Sequence, residues 1–568
     1  MLQDNQIQDF IYSPNTTDFI VRANEYYINE IQSYPFIKVT QILSDYFILG
    51  YVENSDIEKL GDVLGTNFYS SLPYVVGLQD RSALESSGII QIQEQAFLEL
   101  TGNGVLVGII DTGIDYTNPV FRFEDGTSKI AAIYDQTIPG TPPENFLFGS
   151  EYTKEQINEA LLSQTPFEIV PSNDTVGHGT FLASLAAGRS VDDFRGAAPD
   201  SELVVVKLKE ASLFIKQNYL VPEENQNVYE STSVMLGIEY ILQKARELGK
   251  PVAICLGVGT NLGNHDGTTL FEQYIGMVAN ITGVCVCASA GNESQDRHHT
   301  RMVIPNQNST VDIYINTQEQ QSGIYLSILN SASDRISVSL KSPTGEIVTR
   351  IPARAGTTYT SRLVLERAKV TIQYFFPLSI SSGQATIVKI ENATPGIWTV
   401  TLYGDIIIDG TVDAYLPLTS IGYPNVEFLE PDPNYTITVP GTSSAVITVG
   451  AYNDEDNSLF INSSWGPTRL PATSPDFVAP GVRINGIFPT GPGVMSGTSV
   501  ATAITTGACA LMLQWGIVEG NATTLDTFQI KGYLIRGCDR DDNRTYPNYQ
   551  WGYGKLDLYN SFNLIRDV

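Results

Sequence analysis

Three kinds of hydrophobic patterning follow one another along the chain. From residue 104 onward, apolar residues come in short continuous runs at 105–110, 203–206, 252–256 and 284–288. Runs of that length without polar alternation predict strands buried on both faces, as in a parallel sheet covered by helices. Between two of these runs, 231–248 carries Val234, Ile238, Ile241, Leu242 and Ala245 close to helical spacing. Alternating β and α elements of this kind predict a parallel α/β core. Near residue 305 the period changes to two. Val311, Ile313 and Ile315 alternate with polar neighbours, as do Ile336, Val338 and Leu340, and later Trp398, Val400 and Leu402. Turn signals such as Ser342-Pro343-Thr344-Gly345 and Pro395-Gly396 separate them. Short strands at regular spacing predict an all-β sandwich or jelly roll over 306–435 with its own core. Buried-strand character returns at 444–449. The β unit is therefore expected to interrupt an α/β domain formed by 88–305 and 436–568.

The first 80 residues predict a separate small α+β unit. Phe19, Ile20 and Val21 begin one strand, 46–52 is a second, and 72–78 a third, with a helix expected over 25–31. Ser55 is placed to cap a helix over 56–64, with Glu58 three residues on completing a capping box. Residues 79–88 are polar and predict an exposed linker. No internal repeat of 20–50 residues is visible.

Composition narrows the class. The 568 residues are 42% hydrophobic and 17% charged, which supports a large core and argues against wholesale disorder. Acidic residues number 62 against 33 Lys plus Arg, a formal charge of −29. That balance disfavours general binding to nucleic acid or to anionic membrane, which needs clustered cations. No stretch reads as a membrane span, and the N-terminus lacks a basic segment followed by an apolar one, so no Sec signal peptide is expected. The five cysteines, Cys255, Cys285, Cys287, Cys509 and Cys538, are odd in number and mostly lie in apolar runs. Buried free thiols are expected rather than a disulfide framework or a metal site.

Only four histidines are present: His178, His265, His298 and His299. His178 stands between two glycines in Val176-Gly177-His178-Gly179-Thr180, ahead of an apolar helical run. Asp111 ends the run Ile109-Ile110-Asp111, where the C-terminal end of a buried parallel strand commonly carries an α/β site. Ser499 follows Ser496-Gly497-Thr498 at the start of an apolar helix, where amides and the helix dipole favour developing negative charge. Taken singly, each has a plain structural alternative: a loop histidine, a turn aspartate, a helix-capping serine.

Together, Asp-Thr-Gly, Gly-His-Gly-Thr and Gly-Thr-Ser-x-Ala in the order Asp111, His178, Ser499 resemble the subtilisin-like serine proteases. The segment Ala288-Ser289-Ala290-Gly291-Asn292-Glu293 resembles that family's oxyanion-hole segment. Cys255-Leu256-Gly257 resembles a wall of its primary specificity pocket, and Asp476-Phe477-Val478-Ala479-Pro480-Gly481-Val482 resembles the stretch before its serine. The resemblance spans about 88–305 and 435–568. It implies Asp111, His178 and Ser499 as a catalytic triad, Asn292 as oxyanion donor, and Leu256, Gly257 and Glu293 beside the substrate. Glu293 could favour a basic side chain or be a solvated rim acid. The resemblance implies protein or peptide substrates, no required cofactor and no metal in the site; a structural cation is possible but no ligand set stands out. The first 80 residues resemble the family's propeptide, an intramolecular inhibitor and chaperone. The whole layout is most like clostridial Csp-type germination proteases, which implies a spore-associated or extracytoplasmic setting. Two features depart from the family. Ala503 stands where proline is usual, and the stretch between Asp111 and His178 is long, with a loop expected over about 119–172. A catalytically silent regulatory protein on the same fold, and a carbohydrate-binding module with Trp398 as its platform, are the competing expectations.

Overall fold

The computed structural model describes residues 4–22, 31–43, 46–78, 85–95, 98–191, 194–320, 323–378, 381, 383–422 and 425–566. The N-terminal unit is a three-stranded antiparallel sheet of β1 (Thr16–Arg22), β2 (Ile37–Leu43) and β3 (Phe47–Glu53), with β3 in the middle. Strand alternation divides its apolar residues between two cores. Phe19, Val21, Ile48 and Val52 pack with Leu60 and Leu64 of the helix Ile57–Leu64. Ile20, Leu49 and Tyr51 face the other way, into the core of the α/β domain. Gly50 leaves room for the Phe19 ring, which a Cβ would meet at 2.4 Å. The capping box expected at Ser55 does not form. A 3-10 turn at Asn54–Asp56 runs straight into the helix, so Ser55 is not at its boundary, and its hydroxyl turns back toward Glu53. The unit ends in β4 (Val75–Leu78). The helix expected over 25–31 falls, apart from Ile31, outside the described residues, as does most of the expected linker; Glu85–Ser87 is a single 3-10 turn.

The α/β domain is built on a nine-stranded mixed sheet. Its centre runs Ile447–Asn453, Val284–Ser289, Val252–Leu256, Leu106–Asp111, Glu202–Lys207 and Ile130–Asp135, all parallel. Alternate residues of the continuous apolar runs serve opposite faces. Val107, Ile109, Val205, Cys255 and Cys287 pack under the helices His178–Ala187 and Thr498–Leu513. Ile110, Val204, Ile254, Leu256 and Val286 pack under Ser231–Leu248 and Leu270–Val278. All five cysteines are buried and free. The helical segment Thr498–Val518 is long and apolar enough to cross a membrane by composition, and 89% of its most apolar window is buried inside the protein.

The inserted unit consists of a six-stranded and a five-stranded antiparallel sheet that share one core. Its first strand, His299–Val303, begins ahead of the boundary expected at 306. The core is not independent. Tyr74 and Val75 of the N-terminal unit and Ile215, Tyr219, Val228 and Leu262 of the α/β domain belong to it. Trp398 cannot serve as a surface platform, because it is fully buried in this core with Nε1 donating to the Thr394 carbonyl at 3.1 Å.

Candidate active site

Asp111, His178 and Ser499 come from three separate elements and meet at the C-terminal edge of the central sheet. Asp111 is the last residue of Leu106–Asp111, His178 opens the helix His178–Ala187, and Ser499 is the second residue of Thr498–Leu513. All three are buried. The Asp111 oxygens lie 2.8 and 2.9 Å from His178 Nδ1, and His178 Nε2 lies 3.3 Å from Ser499 Oγ. An ionised carboxylate can only accept, so Nδ1 carries the proton and Nε2 presents its lone pair to the serine hydroxyl. The Thr112 N–H donates to Asp111 Oδ1 at 2.8 Å and fixes the carboxylate.

Small residues make this approach possible. A Cβ on Gly179 would lie 2.3 Å from the Gly113 carbonyl oxygen. One on Gly257 would lie 2.6 Å from Leu182 and 3.4 Å from both Asp111 Oδ2 and His178 Cε1. Gly257 therefore bears directly on the Asp111–His178 pair, and the buried Leu256 before it belongs to the sheet.

Asp174 was not singled out by the sequence. Its buried carboxylate joins the two loops that carry Asp111 and His178. Oδ1 accepts from Thr112 Oγ1 and from the amides of Val176 and Gly177, and Oδ2 accepts from the amide and hydroxyl of Thr180, at 2.7–3.1 Å. The only local sign is an acid four residues before the histidine; its partner Thr112 is 62 residues away.

Asn292 follows the strand Val284–Ser289, beside the start of the serine helix. Its Oδ1 accepts from the amide and hydroxyl of Thr498, both at 3.1 Å. The Thr498 amide can only donate, so the side-chain amide is oriented with Nδ2 as its remaining donor. Thr498 was also missed by the sequence reading, although its hydroxyl further accepts the Gly291 N–H at 3.1 Å. Glu293 is neither solvated nor at the rim. It is 6% exposed, with Oε2 accepting from Asn261 Nδ2 at 2.8 Å and lying 3.3 Å from His298 Nδ1. His298, His265 and His299 are all buried in contacts with backbone carbonyls. Burial pushes His265 down to about 4.

Two short strands, Tyr229–Glu230 and Val258–Gly259, the second of which follows Gly257, have β4 between them. Val75 and Val76 pair antiparallel with Glu230 and Tyr229, and Gly77 and Leu78 with Gly259 and Val258. The end of the N-terminal unit thus sits on the strand that continues from Leu256 and Gly257. Among the described residues, two clusters bring three metal-capable side chains within 4.8 Å: Cys285, Cys287 and Cys509 in the core, and Glu293, Asp296 and His298. Neither includes a residue of the Asp111–His178–Ser499 set.

A model of the subtilase family matches residues 102–374 and 419–554. Among solved structures, the CspB protease of Clostridium perfringens is 32% identical; the match covers 85% of this chain and 98% of that one, with a TM-score of 0.75. The serine protease AprX of Bacillus subtilis (strain 168) is 34% identical over 147 residues, 22% of this chain and 31% of that relative. The subtilase-type proteinase RRT12 of Saccharomyces cerevisiae is 36% identical over 81 residues, 14% of this chain and 15% of that one. The chain thus spans about a third or less of the length of these two curated relatives.

Proposed function

The chain belongs to the subtilase family and is a subtilisin-like serine peptidase, and from that premise we propose that Asp111, His178 and Ser499 are its catalytic triad in a self-inhibited endopeptidase. The supporting observation is the unbroken hydrogen-bonded relay from carboxylate to imidazole to hydroxyl. Ser499 Oγ attacks the peptide carbonyl while His178 Nε2 takes its proton. His178 then returns that proton to the leaving amine, and water repeats the sequence on the acyl-enzyme. Asp111 holds the imidazole tautomer and stabilises the imidazolium. Asn292 Nδ2 and a backbone N–H near Ser499 hold the oxyanion. In this reading the backbone at Leu256 and Gly257 walls the primary substrate pocket, while the Leu256 side chain stays in the core. Side chains and backbone supply every step named here.

Residues 1–80 act as propeptide and intramolecular inhibitor, and β4, paired with both flanking strands, is the part that occupies substrate ground by backbone hydrogen bonds. Residues 88–305 and 436–568 form the catalytic domain, with a jelly-roll insert over 306–435. The test is covalent labelling with a serine-reactive fluorophosphonate after removal of the N-terminal unit. Wild type is expected to label and Ser499→Ala not to. Equal labelling of both would remove Ser499 from the mechanism, and no labelling of either would favour a catalytically silent binding protein.

A further inference from the structure

Exposed aliphatic side chains gather at one end of the inserted unit. Val364 and Leu365 are 79% and 71% exposed, side by side in the turn between the strands Thr358–Leu363 and Ala368–Phe375. Ile347, 63% exposed, opens the edge strand Ile347–Ile351, opposite Lys341. Glu346 ties the two places together. Its carboxylate accepts the N–H groups of Val364, Leu365 and Glu366 at 2.8–3.1 Å. The Glu366 carboxylate in turn accepts the Thr344 N–H at 2.9 Å and the Thr394 hydroxyl. The turn is thereby fixed with both aliphatic side chains outward. Its three amides need no water, so they are not stranded if the turn enters a dry environment.

The segment that bears these residues reverses the charge balance of the chain. Residues 341–369 carry six Lys or Arg against two Glu, whereas the whole chain has a formal charge of −29. The two acids are Glu346 and Glu366, whose carboxylates are taken up by the amides and hydroxyl just described. Arg362 and Arg367 bracket Val364 and Leu365 on the same hairpin, and Lys369 is the register partner of Arg362. Lys369 pairs with Glu391, and Arg350 with Asp405. Among the described residues, Lys341, Arg354, Arg362 and Arg367 are exposed and make no ion pair.

We propose that this end of the insert docks the protein reversibly on an anionic lipid bilayer, with Val364 and Leu365 entering the interface and Lys341, Arg362 and Arg367 meeting lipid phosphates. Energetic centres of protein interfaces favour Trp, Tyr and Arg, and Val and Leu are under-represented there. Two aliphatic side chains projecting from a turn, with a guanidinium on each side, suit a headgroup layer better. The aliphatic groups reach the acyl boundary, the arginine stems lie along it, and the charges stay with the phosphates. The acidity of the whole chain disfavours general adhesion to such a surface, so the local reversal confines contact to one face. The attachment is peripheral, and the insert serves as its anchor.

The experiment is vesicle flotation of the full chain as Ser499→Ala, so that no self-cleavage alters the sample. Vesicles of phosphatidylcholine mixed with phosphatidylglycerol are compared with phosphatidylcholine alone, at low and at raised salt. The chain is expected to float with the mixed vesicles, to leave them as salt screens the attraction, and to ignore the neutral ones. Arg362→Gln together with Arg367→Gln should weaken binding by roughly 25-fold, about fivefold for each charge near the surface. Val364→Ser together with Leu365→Ser should weaken it by about tenfold or more, since the aliphatic side chains that leave water are gone. Leu162→Ser, at a 91% exposed site that ends a helix of the α/β domain, should change nothing. No flotation of the parent chain with mixed vesicles at low salt overturns the proposal and favours a protein partner for this face. Parent-like binding by the folded serine double variant overturns it too, because attraction without insertion would then suffice. A loss in Leu162→Ser equal to that in the serine double variant would take the contact away from the insert.

Discussion

Asn292 and Asp174 illustrate two ways in which a residue can serve the same chemistry. Asn292 is held by Thr498 with its Nδ2 free to donate, so its proposed effect is confined to the charge that develops on the substrate oxygen. Asn292→Ala is expected to lower kcat by roughly 10²–10³-fold with little change in KM, the size found for the equivalent loss in subtilisin; steady-state kinetics on a peptide substrate check it. Among the described residues Asp174 bonds only to Thr112, Val176, Gly177 and Thr180, which fits a positioning residue. In Asp174→Asn the amide nitrogen would confront N–H and O–H donors now satisfied by a carboxylate oxygen. The loops bearing Asp111 and His178 would shift, and a misplacement of about 1 Å can cost on the order of 100-fold. Lower kcat at unchanged KM, with a displaced acid limb of the pH profile, is the expected signature; a loss of thermal stability alone would make Asp174 merely structural. Asp111, His178, Ser499 and Asn292 were legible because each lies in a local motif. Asp174 was not, and Thr498 stood in the serine motif without a role of its own, because what each does consists of bonds to residues distant in sequence.

Among elements, the buried strands were the most readable. A strand covered on both faces needs apolar residues at every position, and 105–110 and 284–288 have them. The helix Ser231–Leu248 was equally plain, ending where Gly249 takes a positive φ of 64°. Strand β2 was missed because its alternation is broken twice: Gln41 is buried, and Ile42 is 45% exposed. The strands Tyr229–Glu230 and Val258–Gly259 are too short to show any period, and they are defined by β4 lying between them. That placement carries a prediction. A tethered strand faces its cleft at an effective concentration near millimolar, about what a short flexible linker gives. The purified wild type is therefore expected to be cut within about 78–95 yet nearly inactive, with Ser499→Ala uncut. Adding a second protease that degrades the N-terminal unit should release activity. N-terminal sequencing and a peptide assay decide it; an uncut wild type that is fully active from the start would exclude the zymogen.

At the scale of the whole molecule, the periodicity near 305 revealed a β unit but not how it is attached. Because Ile215, Tyr219, Val228 and Leu262 lie in its core, excising 306–435 would expose them, and the shortened chain is expected to aggregate rather than keep activity. A polar join supplements the apolar one. Asp413, on the insert strand Thr411–Tyr415, is 2% exposed and meets His299 Nε2 at 3.2 Å, Arg301 at 3.3 Å and Arg469 Nε at 2.8 Å. Arg469 lies in the α/β domain, after the insert, and also donates to the Asn264 carbonyl at 3.1 Å. Burial alone would raise the Asp413 carboxyl, but the His299 hydrogen bond and the two guanidinium charges hold it down at about 2. A depressed carboxyl stabilises the fold above its ordinary value and loses that contribution as pH falls toward the folded one. Asp413→Asn strands a buried guanidinium and is expected to cost about 3 kcal/mol near neutral pH. About 2 kcal/mol of that difference should disappear between roughly pH 4 and pH 2, where wild-type Asp413 becomes protonated. Denaturant unfolding of both chains across that range measures the gap. A gap that stays constant down to pH 2 would mean that Asp413 holds the insert by shape rather than by charge.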